Sequence, residues 1–205
     1  MISIGLTGNV GSGKSTVARI WKAERGALLI DADQIGRSVV QPGSRCMARL
    51  VQRFGKEILL PDGSLNRRRM AEIAFSDKEN LEALNSIVHP EIIRKINDQL
   101  QEARSQGAGA VVVDAALILE FGFERCLDVV VAVDAPREIK IERMLAKGKI
   151  SRETLEQMLE VQLPPQELKE KADYVLDNSA DEESLKERAL ELFDRLVNKE
   201  KKEAR

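Results

Sequence analysis

Cysteine, histidine and aromatic side chains are all scarce in this 205-residue chain, and each scarcity excludes something. Two cysteines, Cys46 and Cys126, fall in no paired motif. They read as free thiols of a reducing compartment, which leaves out both a disulfide framework and a zinc site. Long apolar runs are missing too. The longest, residues 115–119 and 129–133, span five residues each, against the roughly 20 that a membrane-spanning helix needs. Neither sign of charge dominates: 32 Lys and Arg against 34 Asp and Glu leave −2. That balance argues against a dedicated nucleic-acid coat and for a solvated, helix-rich surface. Met1 leads straight into Ile2-Ser3-Ile4, with no basic flank and no apolar signal core. A cytoplasmic protein is the expectation, with no membrane and no nucleic acid among its partners. What is present, a hydrophobic fraction of 43%, is enough to bury a core. The length suits one α/β domain with a helical insertion and is too short for two full domains.

Short apolar runs alternate with amphipathic stretches, the pattern of a parallel sheet covered by helices. Strands are expected at residues 2–6, 27–30, 110–114, 127–133 and 174–176, and a helix at about 14–24. The third and fourth runs are β-branched without alternation, as in strands buried on both faces. Some eighty residues between the second and third strands have helical periodicity instead. Pro42-Gly43 and Pro61-Asp62-Gly63 mark turns there, and Asp77 is the expected N-cap of a helix through Leu81, Leu84, Ile87 and Val88. The tail from Glu182 reads as a charged amphipathic helix that frays from Lys199.

Gly8-Asn9-Val10-Gly11-Ser12-Gly13-Lys14-Ser15 matches G-x-x-x-x-G-K-[ST], continues with Thr16, and lies between a strand and a helix as the motif requires. Its glycines let successive backbone N–H groups point at phosphate oxygens, and the helix N-terminus adds its dipole. Lys14 is expected at the β- and γ-phosphates of ATP and the Ser15 hydroxyl on Mg²⁺. Asp33-Gln34-Ile35-Gly36 formally matches the GTPase D-x-x-G, but no Asn-Lys-x-Asp reads guanine; Asn198-Lys199-Glu200-Lys201 lacks the aspartate. A small-molecule kinase fits the length best. The expected architecture is therefore a three-layer α/β/α P-loop domain with a parallel sheet. A helical substrate-binding insertion spans about 34–106 and a basic lid about 137–170.

Asp31 and Asp33 close the second strand, where two alternate positions point the same way. One carboxylate there can take a hydroxyl proton and the other can serve the metal. Helix capping by Asp33 is the competing reading. Arg37, four residues on, is placed to bind an anionic group. His89, the one histidine, stands before Pro90 at an expected helix end. Further on, Arg137, Lys140, Arg143 and Lys147 recur every three or four residues as a basic stripe, with Ile141, Met144 and Leu145 opposite. A mobile lid of that kind would exclude water and stabilise phosphoryl charge.

Taken together, these residues resemble the dephospho-coenzyme A kinase family. The resemblance runs through Ile4-Gly5-Leu6-Thr7-Gly8, Asp31-Ala32-Asp33 with Arg37, Val39-Val40-Gln41-Pro42-Gly43, Phe54-Gly55, Asn66-Arg67, His89-Pro90, Glu120, Arg143, Gln162, Ala172-Asp173-Tyr174 and Asp177-Asn178-Ser179. It implies transfer of the γ-phosphate of ATP to the ribose 3′-hydroxyl of dephospho-CoA, the last step of coenzyme A synthesis. It further implies Asp33 as general base, Arg143 at the ATP phosphates, Asn178 near the adenine, and Asp31, His89 and Glu120 near the acceptor. The chain departs from the family pattern at Ala116, Lys147, Met158 and Leu168. Another P-loop kinase, such as one acting on nucleoside monophosphates, and a non-catalytic nucleotide-binding regulator are the alternatives. The sequence sets no oligomeric state, and a monomer is the default.

Overall fold

The computed structural model describes residues 1–116, 118–119, 122–146, 148 and 151–203. Among them, β1 (Ile2–Thr7), β2 (Leu28–Asp31), β3 (Ala110–Asp114), β4 (Val129–Asp134) and β5 (Tyr174–Asp177) form one sheet in the order β2-β3-β1-β4-β5. The pairings of β1 with β3 and β4, and of β4 with β5, are parallel. Every residue of β1 and β4 is buried. This is why the valine runs show no polar alternation. The helices are α1 (Lys14–Arg25), α2 (Ala32–Val39), α3 (Arg45–Phe54), α4 (Arg67–Ala74), α5 (Lys78–Ser105), α6 (Arg137–Ala146), α7 (Arg152–Val161), α8 (Pro165–Lys171) and α9 (Glu182–Glu203). None is long and apolar enough to cross a membrane.

Two compact units result, Met1–Ile30 with Leu100–Arg205, and Asp31–Gln99. In the first, α1 and α9 pack together over the sheet. Trp21 is fully buried there, its ring centroid 5.6 Å from that of Phe193 and its indole N–H donating to the Ala189 carbonyl at 2.7 Å. Burying a ring of that size while satisfying its one polar atom is a main apolar contribution of this layer. Helix α9 does not fray from Lys199 but continues to Glu203, and Glu200 pairs with the Met1 ammonium at 3.0 Å.

The second unit is helical throughout, around Ile35, Leu50, Phe54, Ile58, Met70 and Ile87. Its helices start on side-chain caps that the sequence marks: Ser44 Oγ accepts from the Met47 N–H, Asn66 Oδ1 from that of Arg69, and Asp77 Oδ1 from that of Asn80. The helix expected to end at His89-Pro90 does not end there. Helix α5 runs through Pro90 for 28 residues. Proline forfeits one backbone hydrogen bond, but Ile87 before it and Ile96 after it are both buried, and their packing carries the helix across the gap.

Candidate active site

The turn from β1 into α1 is a phosphate cradle. Gly11 (φ 78°) and Gly13 (φ 97°) are left-handed, a conformation that side-chain-bearing residues rarely adopt. Both are also crowded. A Cβ on Gly11 would collide with the Lys140 backbone carbonyl, and one on Gly13 with Asn178 Nδ2. The sequence leads one to expect successive N–H groups aimed outward, but two are turned inward. The Val10 N–H donates to Gln162 Oε1 at 3.0 Å and the Ser12 N–H to the Asn9 carbonyl at 3.1 Å. Among the described residues, the N–H groups of Gly11, Gly13, Lys14 and Ser15 have no acceptor. Four free amides at a helix N-terminus, in a turn where neither Gly11 nor Gly13 could carry a Cβ, suit phosphate oxygens. Ser12 Oγ, beneath the turn, is buried without a partner. The Thr16 hydroxyl faces the surface side of α1, where Arg19 donates to it at 3.3 Å.

The carboxyl ends of the strands bring acids to this cradle. Lys14 forms an ion pair with Asp114, the last residue of β3, and both side chains are less than a fifth exposed. Asp134, the last residue of β4, pairs with Lys140 at 2.5 Å and Lys169 at 2.8 Å. Burial alone would raise the Asp134 carboxyl, but the two ammoniums against it hold it below the usual carboxylate range. In return, its hydrogen bond raises Lys169. Lys140 therefore does not belong to an exposed lid stripe: it is 2% exposed, on the inner face of α6, with Nζ 3.5 Å from Asn9 Oδ1. The face opposite is not uniformly apolar either, since Ile141 is buried but Leu145 is exposed.

Asn178, 3% exposed just past β5, donates Nδ2 to the Ser12 carbonyl at 2.7 Å and its N–H to the Asp134 carbonyl at 2.7 Å. The structure thus sets it against the backbone of the phosphate turn. Arg143, on α6, donates to the Asn178 carbonyl at 3.0 Å and to Asn178 Oδ1 and the Ala180 carbonyl at 3.3 Å. Gln162 caps the α7–α8 turn onto Val10, and beside it Asn9 Nδ2 donates to the Leu163 carbonyl at 3.1 Å.

The remaining sequence-marked residues belong to the helical unit. Strand β2 stops at Asp31, so the two aspartates do not alternate along a strand. Asp31 is the N-cap of α2, its Oδ1 accepting from the Gln34 N–H at 2.9 Å, and Asp33 sits in the helix's first turn. Both are exposed. Capping thus falls to Asp31, and the Asp33 side chain makes no hydrogen bond among the described residues. Arg37, also exposed, lies one turn on and makes no ion pair with Asp33. His89 is half-buried in α5, and burial lowers its imidazole pKa. Glu120 and Lys147 lie outside the described residues.

Sequence reasoning missed Asp114, Asp134 and Lys169. The signal for the two acids was present: each ends a valine-rich strand at the edge where ligands bind in open α/β sheets. Oxygen donors for a cation are Ser15 Oγ and Asp114, and no cluster of three or more acids, cysteines or histidines exists among the described residues.

Residues 2–184 match the family model described as dephospho-CoA kinase. The dephospho-CoA kinase of Corynebacterium efficiens is 41% identical over 197 residues, covering 96% of each chain. A crystal structure from Thermus thermophilus superposes with a TM-score of 0.82 at 33% identity, covering 94% of this chain and 95% of that one. A structure of dephospho-CoA kinase from Campylobacter jejuni shares the fold, with a TM-score of 0.72 at 24% identity over 97% and 98% of the two chains.

Proposed function

The chain belongs to the dephospho-CoA kinase family, and from that membership we propose how its residues move the terminal phosphoryl group of ATP onto dephospho-CoA. The product is coenzyme A, and the acceptor atom is the ribose 3′-hydroxyl. The match over residues 2–184, which includes an intact phosphate cradle, carries the reading.

The free amides of Gly11, Gly13, Lys14 and Ser15 hold phosphate oxygens, and the start of α1 favours their negative charge. Lys14 turns from Asp114 toward the β- and γ-phosphates and follows the charge as it shifts to the leaving oxygen. The Ser15 hydroxyl and the Asp114 carboxylate are hard oxygen donors and would hold Mg²⁺, which when bound neutralises charge on the phosphates. Asp33 takes the proton of the 3′-hydroxyl as its oxygen bonds to the γ-phosphorus and the bond from that phosphorus to the ADP oxygen breaks. An exposed carboxylate without a competing hydrogen bond suits a base. Arg37, His89, Asp31 and Glu120 contact the acceptor, and Arg143 and Asn178 hold the nucleotide side of the site. The protein works in the cytoplasm on small molecules, as a monomer.

The test is ATP consumption with dephospho-CoA against a blank without acceptor, with the product identified as coenzyme A by mass. Turnover on nucleoside monophosphates but not dephospho-CoA would replace this reading with that of a nucleotide kinase. ATP binding without turnover on any acceptor would make it a regulator.

A further inference from the structure

The end of β4 holds both flanks of the phosphate turn, and it does so with buried charge. On one flank the Asp134 carbonyl accepts from the Asn178 N–H, and Asn178 in turn holds the Ser12 carbonyl. On the other, the Asp134 carboxylate pairs with Lys140, whose ammonium reaches Asn9 Oδ1 and whose backbone carbonyl lies against Gly11. Lys169 of α8 closes the group from outside, its side chain 42% exposed. Asp177 also acts on Lys169, so the ammonium that Asp134 holds beneath the turn is that of Lys140.

We propose that Lys140, held by Asp134, is a positioning residue for ATP: it orients Asn9 and supports the phosphate turn at Gly11 from beneath. The inference rests on the kinase reading above. An isolated buried ammonium is costly to desolvate, and a single Lys–Asp pair would suffice to stabilise it. The polar atoms also divide the labour. Asn9 receives Lys140 on its oxygen and gives its amide to the Leu163 carbonyl, so the same side chain that reads the charge also fastens the turn between α7 and α8 to the phosphate turn. Loss of Lys140 therefore loosens two things at once, the phosphate turn and the root of the lid, without removing any atom that touches substrate.

The experiment compares Lys140→Met, Asn9→Ala and the double variant in the full-length protein. ATP affinity is measured by titration calorimetry, and backbone exchange by deuterium uptake over residues 8–13 and 160–165. Methionine keeps most of the stem volume and leaves Asp134 paired with Lys169. The expected result is ATP binding weakened about tenfold or more in each single variant, with faster exchange in both segments. The double variant should bind no more weakly than the worse single, because both act through one contact. A folded Lys140→Met protein with unchanged ATP affinity and unchanged exchange overturns the proposal, as do additive losses in the double variant. If Lys140→Met does not fold, Asn9→Ala alone carries the test. It leaves the Lys140–Asp134 pair intact while removing the contact to Lys140, so ATP binding must weaken with faster exchange over residues 160–165; equal affinity with equal exchange overturns the proposal. Failure of the unaltered protein to bind ATP would be a different result, ending the kinase reading itself.

Discussion

Asp31 and Asp33 are two residues apart but differently held: the Asp31 side chain caps α2, while that of Asp33 makes no hydrogen bond among the described residues. The division can be tested one residue at a time. Asp33→Asn removes the proton acceptor with almost no change of shape, so kcat should fall roughly 10²- to 10⁴-fold. The KM for ATP should stay near its original value, since the amides of the phosphate turn are untouched. Unchanged kcat in steady-state assays would leave Asp33 without a role in the chemistry. Asparagine caps helices as well as aspartate does, so Asp31→Asn should leave stability unaltered while Asp31→Ala loses about 1 kcal/mol. Denaturant titration of the two proteins separates a cap from a substrate contact. Lys14 is the other residue whose removal should speak plainly. Lys14→Ala should cut kcat/KM by about 10²-fold or more, worth about 3 kcal/mol of transition-state stabilisation. It also leaves Asp114 without its cation, so a lowered melting temperature is expected beside the kinetic loss.

At the scale of elements, the phosphate turn is held by what lies beneath it. Gly11 is the position where that shows. Gly11→Ala would put a methyl group into the Lys140 carbonyl at a left-handed φ, so neither the turn nor the start of α6 can stay where it is. ATP binding should fall below detection in calorimetry, while Gly43→Ala, equally left-handed but facing open space, costs only strain and leaves ATP affinity intact. If the two behave alike, backbone strain alone explains the effect. The contrast also shows how much the sequence disclosed. Gly-x-x-x-x-Gly-Lys-Ser between a strand and a helix is a local pattern, fixed by turn geometry, and it can be read without knowing the fold. The same holds for the valine-rich strands and for Asp77 as a cap. Lys140 departs from the basic stripe because helical spacing groups residues by angle around α6 and says nothing of which angle faces the sheet. The partners that draw it inward, Asp134 and Asn9, are 6 and 131 positions away in sequence. Helix α5 continues through Pro90 for a similar reason. The local rule that proline ends a helix was outweighed by apolar packing on both sides of it.

For the molecule as a whole, acid should act on the two units in separate pH ranges. His89 belongs to the helical unit and Asp134 to the unit built on the sheet. Both have pKa values below their ordinary ones, His89 through burial and Asp134 because two lysines outweigh its burial. A group depressed in the folded state binds fewer protons folded than unfolded, so its contribution is fully present above the unfolded pKa. It is lost as pH falls through the folded one. For His89 the loss begins near pH 6.5, and for Asp134 only near pH 4. The exposed carboxylates Glu24 and Asp194, also depressed by lysine and arginine partners, titrate in the lower range but are screened by solvent and add little. Between pH 7 and 5, then, the stability lost is that of His89. Denaturant midpoints followed by helical circular dichroism should fall over this range, and His89→Gln should abolish the fall. Trp21, the one tryptophan, lies in the sheet unit, so its fluorescence reports on that unit. Its midpoint should fall steeply only below about pH 4, and in Asp134→Asn it should start lower and depend less on pH. A His89→Gln protein that loses stability between pH 7 and 5 as the unaltered protein does would show that burial of the imidazole does not set the acid response. The cause would then lie in another group whose pKa falls on folding.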